Sequence, residues 1–265
     1  MQDAMFSGLF GALTTEHRMN SIANNLANVN THGYKADKLA FKDNLAYYAH
    51  DEIREPILNL RDKSLFPEQK NMSRVRIAVS RIDFTQGAMH LTNNPLDVAI
   101  NGENAFFKVQ TPNGEFLTRN GHFALSADGT IMTPQGYTVM GEGGAITVPQ
   151  GTRHINISGD GQVEADNTVV GRIQVVSVDA PHNLEKKGYN LYKARENTTI
   201  AESDAFANNR VRLEQGYMET ANVEVVSEMV NMIETNRQFE AYQKVMQTAD
   251  TLDRAANERI GKRLG

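Results

Sequence analysis

The sequence contains no cysteine and no tryptophan, and its net charge is only −5 over 265 residues. The missing cysteines exclude disulfides, thiolate metal sites and cysteine nucleophiles. They fit either a reducing compartment or a protein that avoids accidental pairing in an oxidising one. Charges of both signs are interspersed, so the concentrated basic face that nucleic-acid binding needs is missing, and we expect no nucleic-acid partner.

Long apolar runs are also missing. No apolar run reaches the roughly 18 residues that a membrane-spanning helix needs, so we expect no transmembrane segment. Residues 1–12 lack a basic leader, carry Asp3 and are interrupted by Gly8 and Gly11, which is not the pattern of a secretory signal peptide. The sequence therefore predicts no cleaved signal peptide.

Catalytic motifs are equally scarce. The seven histidines are scattered, without the short spacings that build a zinc site. The glycine-rich residues 141–144 lack the lysine and the following helix of a phosphate-binding loop, and the sequence shows no acid/base pair or nucleophile motif. We therefore expect no enzyme, no metal site and no cofactor. The turn-rich middle still allows a freestanding β module that binds cell wall or carbohydrate.

Residues that interrupt regular structure are concentrated in the middle of the chain. All seven prolines fall between Pro56 and Pro181, and fourteen of the twenty glycines fall between Gly87 and Gly188. Because these residues break helices and mark turns, the two ends are predicted to be helical and the middle to be rich in turns.

Both ends carry apolar residues at helical spacing. The first helix is predicted from Asp3 to about Asn30, and the second from Gly216 to Ile260. A long amphipathic helix needs a partner, and each terminus offers one to the other, so we expect a coiled-coil layer. The apolar stripe comprises Met5, Leu9, Ala12, Met19, Ile22, Leu26 and Val29 in the first helix, and Val225, Met229, Met232, Asn236, Phe239, Met246, Ala249, Leu252, Ala256 and Ile260 in the second.

From Val75 onward, apolar residues alternate with polar ones, as in half-buried strands. Asn-Gly and Asp-Gly pairs at 113–114, 120–121 and 128–129 separate these runs and favour hairpin turns. The predicted fold class is α+β, with discontinuous long N- and C-terminal helices that form a coiled-coil layer and a central antiparallel all-β domain. The predicted divisions are a terminal helical domain of residues 1–35 and 213–265, an extended connector of residues 36–74, and a central β domain of residues 75–212.

The end of the first helix is unusually rich in asparagine. Asn24, Asn25 and Asn28 are weak helix formers. They form either a solvated polar face or hydrogen bonds across a packed helix interface, as polar residues in coiled coils do. Gly33 is expected to stop the helix and to act as a hinge. The Tyr-Lys pair that follows is expected to be solvated, unless the aromatic ring packs back on the helix.

The sequence Asn-Asn-Leu-Ala-Asn-Val-Asn-Thr-His-Gly-Tyr-Lys at residues 24–35 resembles the N-terminal signature of the bacterial flagellar basal-body rod and hook proteins. Further stretches resemble the β domain and the C-terminal helix of that family in the same order, and they lie at 85–87, 92–100, 118–121, 216–223, 228–233 and 237–240. The chain length and the residues at 141–149 and 237–240 favour the proximal rod branch of the family, whereas residues 28–30 suit the distal rod branch at least as well.

The resemblance implies a structural subunit of the flagellar basal-body rod. Such a subunit assembles with its own copies and with neighbouring rod proteins into a helical tube that transmits motor torque to the hook. The resemblance also implies passage through the flagellar type III export apparatus and a final place in the periplasmic rod. The assembly interface is then expected at Asn24, Asn25, Leu26, Asn28, Gly33, Tyr34, Met229, Met232, Asn236, Arg237 and Phe239.

Overall fold

The computed structural model describes residues 2–47, 71–195, 202–206 and 211–261. These residues form two α-helices, α1 (Gln2–Ala27) and α2 (Val225–Gly261), and a 3₁₀ turn spans Pro181–Asn183. The strands are β1 (Asp37–Tyr47), β2 (Asn71–Ile82), β3 (Met89–Leu91), β4 (Val98–Asn101), β5 (Ala105–Thr111), β6 (Gly114–Thr118), β7 (Ala124–Leu125), β8 (Ile131–Met132), β9 (Thr138–Gly141), β10 (Gly144–Ala145), β11 (Ile155–Ile157), β12 (Gln162–Ala165), β13 (Thr168–Arg172), β14 (Val175–Val178), β15 (Leu184–Lys186), β16 (Leu191–Ala194), β17 (Glu202–Asp204), β18 (Arg212–Gln215) and β19 (Tyr217–Glu219).

The chain divides into two compact units. The helix unit consists of Met1–Ala23, Lys38–Arg81 and Ser227–Gly265, and the β unit consists of Asn24–Asp37 and Ile82–Val226. The chain therefore passes from one unit to the other after residues 23, 37, 81 and 226.

The described residues of the β unit form a main sheet of ten strands, in the order β15-β16-β6-β5-β9-β8-β7, with β10, β14 and β17 paired beside this path. Neighbouring strands run antiparallel, so that Val109 of β5 faces Phe116 of β6, and Phe107 of β5 faces Val175 of β14. The described residues of the β unit also form a three-stranded sheet, β11-β12-β13, and the strand pairs β18-β4 and β19-β3. These pairings confirm the antiparallel β domain that the alternating sequence pattern predicts.

The apolar side of these strands builds the core of the β unit. A large cluster gathers the inward residues of successive strands, including the fully buried Val98, Ile100, Phe107, Val109, Ile131, Val139 and Ile173. A smaller cluster on the main sheet contains Phe106, Leu117, Val176, Val178, Leu184 and Tyr192. The core thus follows the period-two pattern of the sequence, because alternate side chains of a strand point to the same face.

The two predicted Asn-Gly turns have different roles in the structure. The predicted turn at Asn113-Gly114 closes the β5–β6 hairpin, where Thr111 pairs with Gly114. The Asn-Gly pair at 120–121 is not a hairpin turn: Gly121 lies against β4, and a Cβ atom there would be 1.7 Å from the carbonyl oxygen of Val98. At this position glycine is required for the close approach of two backbones.

In the helix unit, α1 and α2 pack antiparallel through small residues of α1. A Cβ atom at Gly11 would lie 2.3 Å from Cε1 of Tyr242, and one at Gly8 would lie 2.9 Å from Cγ of Met246. Tyr242 and Met246 therefore rest directly on the α1 backbone. In the described part of the chain, no helix combines the length and apolar character needed to cross a membrane.

The buried residues of the two helices differ from the predicted apolar stripes. Ala12 and Ile22 of α1 are buried, as expected, but Met5 and Leu9 are 51% and 43% exposed. The interface with α2 uses Gly8 and Gly11, and the larger side chains of Met5 and Leu9 remain exposed. Met229 of α2, also a predicted stripe residue, is 50% exposed.

The predicted start of the second helix differs from the structure. Helix α2 begins at Val225, whereas the strands β18 and β19 occupy residues 212–219, where a helix was expected from Gly216. Gly216 has a φ of +78° and turns the chain between these two strands. Within the predicted connector of residues 36–74, β1 and β2 pair with each other, and residues 48–70 lie outside the described residues.

Candidate functional site

A network of hydrogen bonds joins three segments of the β unit, residues 24–37, 82–87 and 219–222, with the side chains of Arg119 and Lys186. We call this region the junction. Its segments lie close to the points where the chain leaves the β unit and returns to it. The junction therefore holds together the segments through which the chain enters and leaves the β unit.

The carboxylate of Glu219 is the centre of the junction. Its Oε1 atom accepts hydrogen bonds from Nζ of Lys35 at 2.6 Å and from the backbone N–H of Gly87 at 2.8 Å. Its Oε2 atom accepts one from Nε of Arg119 at 2.6 Å. The side chains of Lys35, Glu219 and Arg119 are only 1%, 1% and 3% exposed. One carboxylate thus holds two cations away from water.

Backbone carbonyls bind further protons of the two cations. Lys35 also donates to the carbonyl of Thr85 at 2.6 Å, and the Arg119 guanidinium donates to three carbonyls within residues 100–105. Burial lowers the pKa of Lys35, because the loss of solvation outweighs the attraction of Glu219. Buried charges are tolerated only when they are paired and hydrogen-bonded, and this group meets that condition.

Two glycines allow the segments to approach closely enough for these bonds. Gly33 donates its N–H to the carbonyl of Glu219 at 2.8 Å and has a φ of +67°. A Cβ atom at Gly33 would lie 2.6 Å from the carbonyl carbon of Arg119, and one at Gly87 would lie 2.1 Å from the carbonyl oxygen of Thr220. Gly33 is therefore a point of close contact between the segments, and its expected role as a hinge stays a prediction.

Asn222 joins the same segments with a single side-chain amide. Its Oδ1 atom accepts a hydrogen bond from the N–H of Ala36 at 2.7 Å. Its Nδ2 atom donates to the carbonyl of Asp83 at 2.8 Å and to the carbonyl and hydroxyl oxygens of Thr85 at 3.2 and 3.1 Å. The oxygen and the nitrogen of the amide thus hold the segment before β1 against the segment after β2.

Asn25 plays the corresponding part at the end of α1. Its Nδ2 atom donates to the carbonyl of Asp37 at 3.0 Å, and its Oδ1 atom accepts from the N–H of Asp37 at 2.9 Å and from the hydroxyl of Tyr34 at 3.1 Å. Nζ of Lys186 lies 4.2 Å from the Tyr34 ring centroid and donates to the carbonyl of Lys35 and to Oδ2 of Asp37, at 2.6 and 2.9 Å. Burial lowers the pKa of Lys186 as well.

The predicted assembly residues near α1 fall in and beside the junction. Asn25, Gly33 and Tyr34 are buried within the chain. Asn24 is exposed, and its Oδ1 atom accepts a hydrogen bond from Nδ2 of Asn28 at 2.8 Å. Leu26 is half-buried. The asparagines thus have roles inside the chain that the sequence pattern did not distinguish from contacts between subunits.

The predicted residues on α2 belong to the helix unit and are not part of the junction. Met229, Asn236 and Arg237 are exposed, and Met232 and Phe239 are half-buried. These two groups of predicted residues therefore belong to different parts of the molecule.

The charged centre of the junction has no signature in the sequence. Lys35, expected to be solvated after a helix stop, is buried, and Glu219 and Asn222 stood out only within stretches that resemble a family. Arg119 directly precedes the Asn-Gly pair that predicts a turn, and a charged side chain beside a turn is normally solvated. No local pattern pairs residues so distant in the chain, because the pairing depends on which strands the fold brings together.

Comparison with protein-family models places the chain in one class. Three models match in succession: the flagella basal body rod protein model over residues 11–35, the flagellar hook protein FlgE/F/G D1 domain model over residues 99–165, and the flagellar basal body rod FlgEFG protein C-terminal model over residues 214–259. The class is that of flagellar rod and hook proteins.

Individual relatives narrow this class. The flagellar basal-body rod protein FlgF of Caulobacter vibrioides is 34% identical over 264 residues, with 99% of each chain covered. FlgG of Buchnera aphidicola subsp. Acyrthosiphon pisum is 34% identical over 243 residues, 88% of this chain and 90% of its own. FlgG of Borreliella burgdorferi is 32% identical over 270 residues, with 97% and 98% covered.

The chain belongs to the flagellar basal-body rod protein family, as the sequence motifs indicated. It is a structural protein of the basal-body rod. This membership favours a rod subunit over the freestanding wall-binding module that the turn-rich middle also allowed.

Proposed function

We propose that the chain is a subunit of the proximal part of the rod, which assembles with its own copies and with neighbouring rod proteins into a helical tube that transmits motor torque to the hook. The observation that supports this role most directly is the apolar surface that the helix unit leaves exposed. The proximal position is supported by the end-to-end alignment with FlgF of Caulobacter vibrioides, although FlgG relatives align at similar identity.

The first part of this surface is on α1. Met5, Phe6, Leu9 and Leu13 are 51%, 50%, 43% and 44% exposed. Residues four apart lie on the same face of a helix, so Met5, Leu9 and Leu13 form one continuous apolar strip. This strip is separate from the Gly8 and Gly11 surface that contacts α2.

The second part is at the start of α2. Met229, Val230 and Ile233 are 50%, 56% and 57% exposed and also share one side of the helix. Large apolar patches that remain in contact with water are typical of surfaces that bind another protein. We therefore propose that both strips are covered by other subunits, with the terminal helices forming the coiled-coil inner layer of the tube.

The proposal retains the predicted α2 residues as assembly contacts. Met229, Asn236 and Arg237 are accessible to a neighbouring subunit, and Met232 and Phe239 are partly so. In the α1 group Asn24 is exposed, and Leu26 and Asn28 are half-buried, so these three residues are accessible to a neighbour as well. The β unit, in this proposal, lies outside the helical layer and contacts lateral neighbours.

The proposal also assigns no catalytic activity to the chain. The charged residues of the junction are engaged with one another and with the backbone. We further propose that the subunit passes unfolded through the flagellar type III export apparatus, as the family resemblance implies, and that its lack of cysteine avoids wrong disulfides after export.

The test is a single charge on each of two equally exposed apolar residues. Ile233→Asp puts a carboxylate in the α2 strip, and Val169→Asp puts one on β13, where the side chain is likewise 57% exposed. We expect Ile233→Asp to abolish rod assembly and swimming without changing the melting temperature of the β unit, and Val169→Asp to leave swimming normal. Normal swimming of the Ile233→Asp strain would contradict the proposal.

The proximal position has its own test. Electron micrographs of basal bodies from a deletion strain should show no rod beyond the inner-membrane level. A rod that is built up to its distal part in that strain would instead support the distal position.

A further inference from the structure

The chain crosses between its two units after residues 23, 37, 81 and 226. On the β-unit side, each crossing is followed or preceded by a segment of the junction. The first two crossings flank residues 24–37, the third leads into residues 82–87, and the fourth follows residues 219–226. Any force that reaches the β unit along the covalent chain therefore enters through these segments.

The three segments meet at Glu219. Oε1 binds Lys35 of the first segment and Gly87 of the second, while Glu219 itself lies in the third. Oε2 binds Arg119, whose guanidinium is tied to backbone carbonyls around β4 and β5. A single carboxylate thus connects all three segments to the backbone of β4 and β5, two successive strands of the β unit.

The burial of this group determines how it responds to force. An exposed ion pair separates easily, because water solvates both partners as they part. When one partner is pulled from a buried pair, the other is left as an uncompensated charge, and the separation is strongly resisted. With side-chain exposures of 3% or less, the Lys35–Glu219–Arg119 group is buried, and pulling Lys35 away removes one of the two cations that compensate Glu219.

We propose that Glu219 acts as a positioning residue. Together with Lys35 and Arg119 it fixes the three junction segments to the β sheet, so that force on these segments is carried into the β unit as a whole. The proposal deepens the proposed function, since rod torque is the source of such force. Its content is mechanical and can be measured on the isolated chain.

The absence of cysteine allows a direct force measurement. Ala27→Cys and Val169→Cys introduce two attachment points for optical-tweezers handles, the first at the exposed end of α1 and the second at an exposed position of β13. Force between them pulls residues 28–36 away from the sheet. Their release should appear as a step of roughly 3 nm, from about 3.4 Å per extended residue.

Lys35→Met and Glu219→Gln are the test variants, and the rate of the release step at constant force is the measurement. We expect each to accelerate release by about a hundredfold, the size that follows from breaking a buried ion pair. The matched control is Glu142→Gln, which breaks the exposed pair of Glu142 with Arg172, also 2.6 Å long, and should change the rate less than about threefold.

Lys35→Met also separates a local effect from a general loss of stability. Once residues 28–36 have been released, Lys35 no longer contacts Glu219, so the later unfolding of the β unit should have the wild-type rate. If Glu219→Gln fails to fold, Lys35→Met decides alone, because it retains the pair between Glu219 and Arg119. A release rate within tenfold of wild type in Lys35→Met would overturn the proposal. Since the measurement uses the monomer, that result would leave the rod function untouched.

Discussion

Asn222→Ala should loosen the junction by removing the amide that joins its segments. The substitution deletes a hydrogen bond from the N–H of Ala36 at 2.7 Å and one to the carbonyl of Asp83 at 2.8 Å, besides the longer pair to Thr85. Each ordinary hydrogen bond contributes about 1 kcal/mol, and a buried group left without a partner costs about 1–3 kcal/mol. Because Asn222 is half-buried, water can replace part of the loss. We expect the β unit to lose about 2–3 kcal/mol.

Urea unfolding followed by circular dichroism gives this free energy directly. For a unit of this size the loss corresponds to a decrease in melting temperature of about 5–10 °C. Asn156→Ala is the matched control, because Asn156 is exposed and its amide makes one long bond to Glu164 at 3.3 Å. The control should stay within about 0.5 kcal/mol of wild type. If Asn222→Ala were equally mild, the reasoning about the junction would be refuted.

Asn222→Asp adds a pH dependence with a defined sign. The new carboxylate still accepts from Ala36 but faces the carbonyls of Asp83 and Thr85 without a proton to donate. At pH 7 it should therefore destabilise the β unit more than Asn222→Ala does. Protonation restores a donor, so the folded-state pKa of the new carboxyl should lie above the ordinary Asp value of about 3.9.

Because the folded-state pKa is raised, the loss of unfolding free energy is largest at pH values above this pKa. The loss decreases as the pH falls through the folded-state pKa. Unfolding free energies of variant and wild type, compared pairwise at each pH, isolate this effect from other titrations. A penalty that stays constant down to about pH 4 would show that the new carboxyl does not face the two carbonyls.

Two further substitutions probe close contacts. Gly33→Ala forces a side chain into a left-handed φ of +67° and against backbone 2.6 Å away, and it should cost at least about 2 kcal/mol in urea unfolding. Gly143→Ala, where a Cβ atom meets nothing within 4 Å, is its control and should be nearly neutral. Gly11→Ala would ordinarily strengthen a helix by about 1 kcal/mol. Because the new Cβ atom would lie 2.3 Å from the Tyr242 ring, we expect it instead to lower the thermal stability of the helix unit, measured at 222 nm. A gain in helix stability would show that the ring moves aside freely.

The elements of the fold could largely be predicted from the sequence. Helix-breaking residues are confined to the middle, so helical ends and a turn-rich centre follow from local backbone preferences. The alternation of apolar residues from Val75 onward, together with Asn-Gly and Asp-Gly pairs, predicts antiparallel strands, which the structure confirms. Boundaries were less accurate: the start of α2 was placed at Gly216 instead of Val225. The strand Tyr217–Glu219 exists because it pairs with Met89–Leu91, a partner that no local window contains.

Which faces of the helices are buried was only partly predictable. A heptad-like pattern favoured Met5 and Leu9 as packing residues, because size and hydropathy are the signals that such a pattern uses. In the structure the interface is made by Gly8 and Gly11, whose lack of side chains admits Tyr242. Close packing of a large residue on a small one depends on the relative position of the two helices, which spacing alone does not specify.

The sequence by itself determined the family, the alternation of secondary structure and the absence of cysteine chemistry, because each of these is written in short stretches of neighbouring residues. Only the tertiary structure brought Lys35 and Arg119 to the buried carboxylate of Glu219, which lies 184 and 100 residues away from them in the chain. Charged side chains usually remain in water, so their burial becomes favourable only when the fold supplies every partner at once. The asparagine-rich end of α1, prominent in the sequence, is held by nearby residues, because Asn25 bonds to Tyr34 and Asp37, whereas the burial of Lys35 depends on Glu219, 184 residues away.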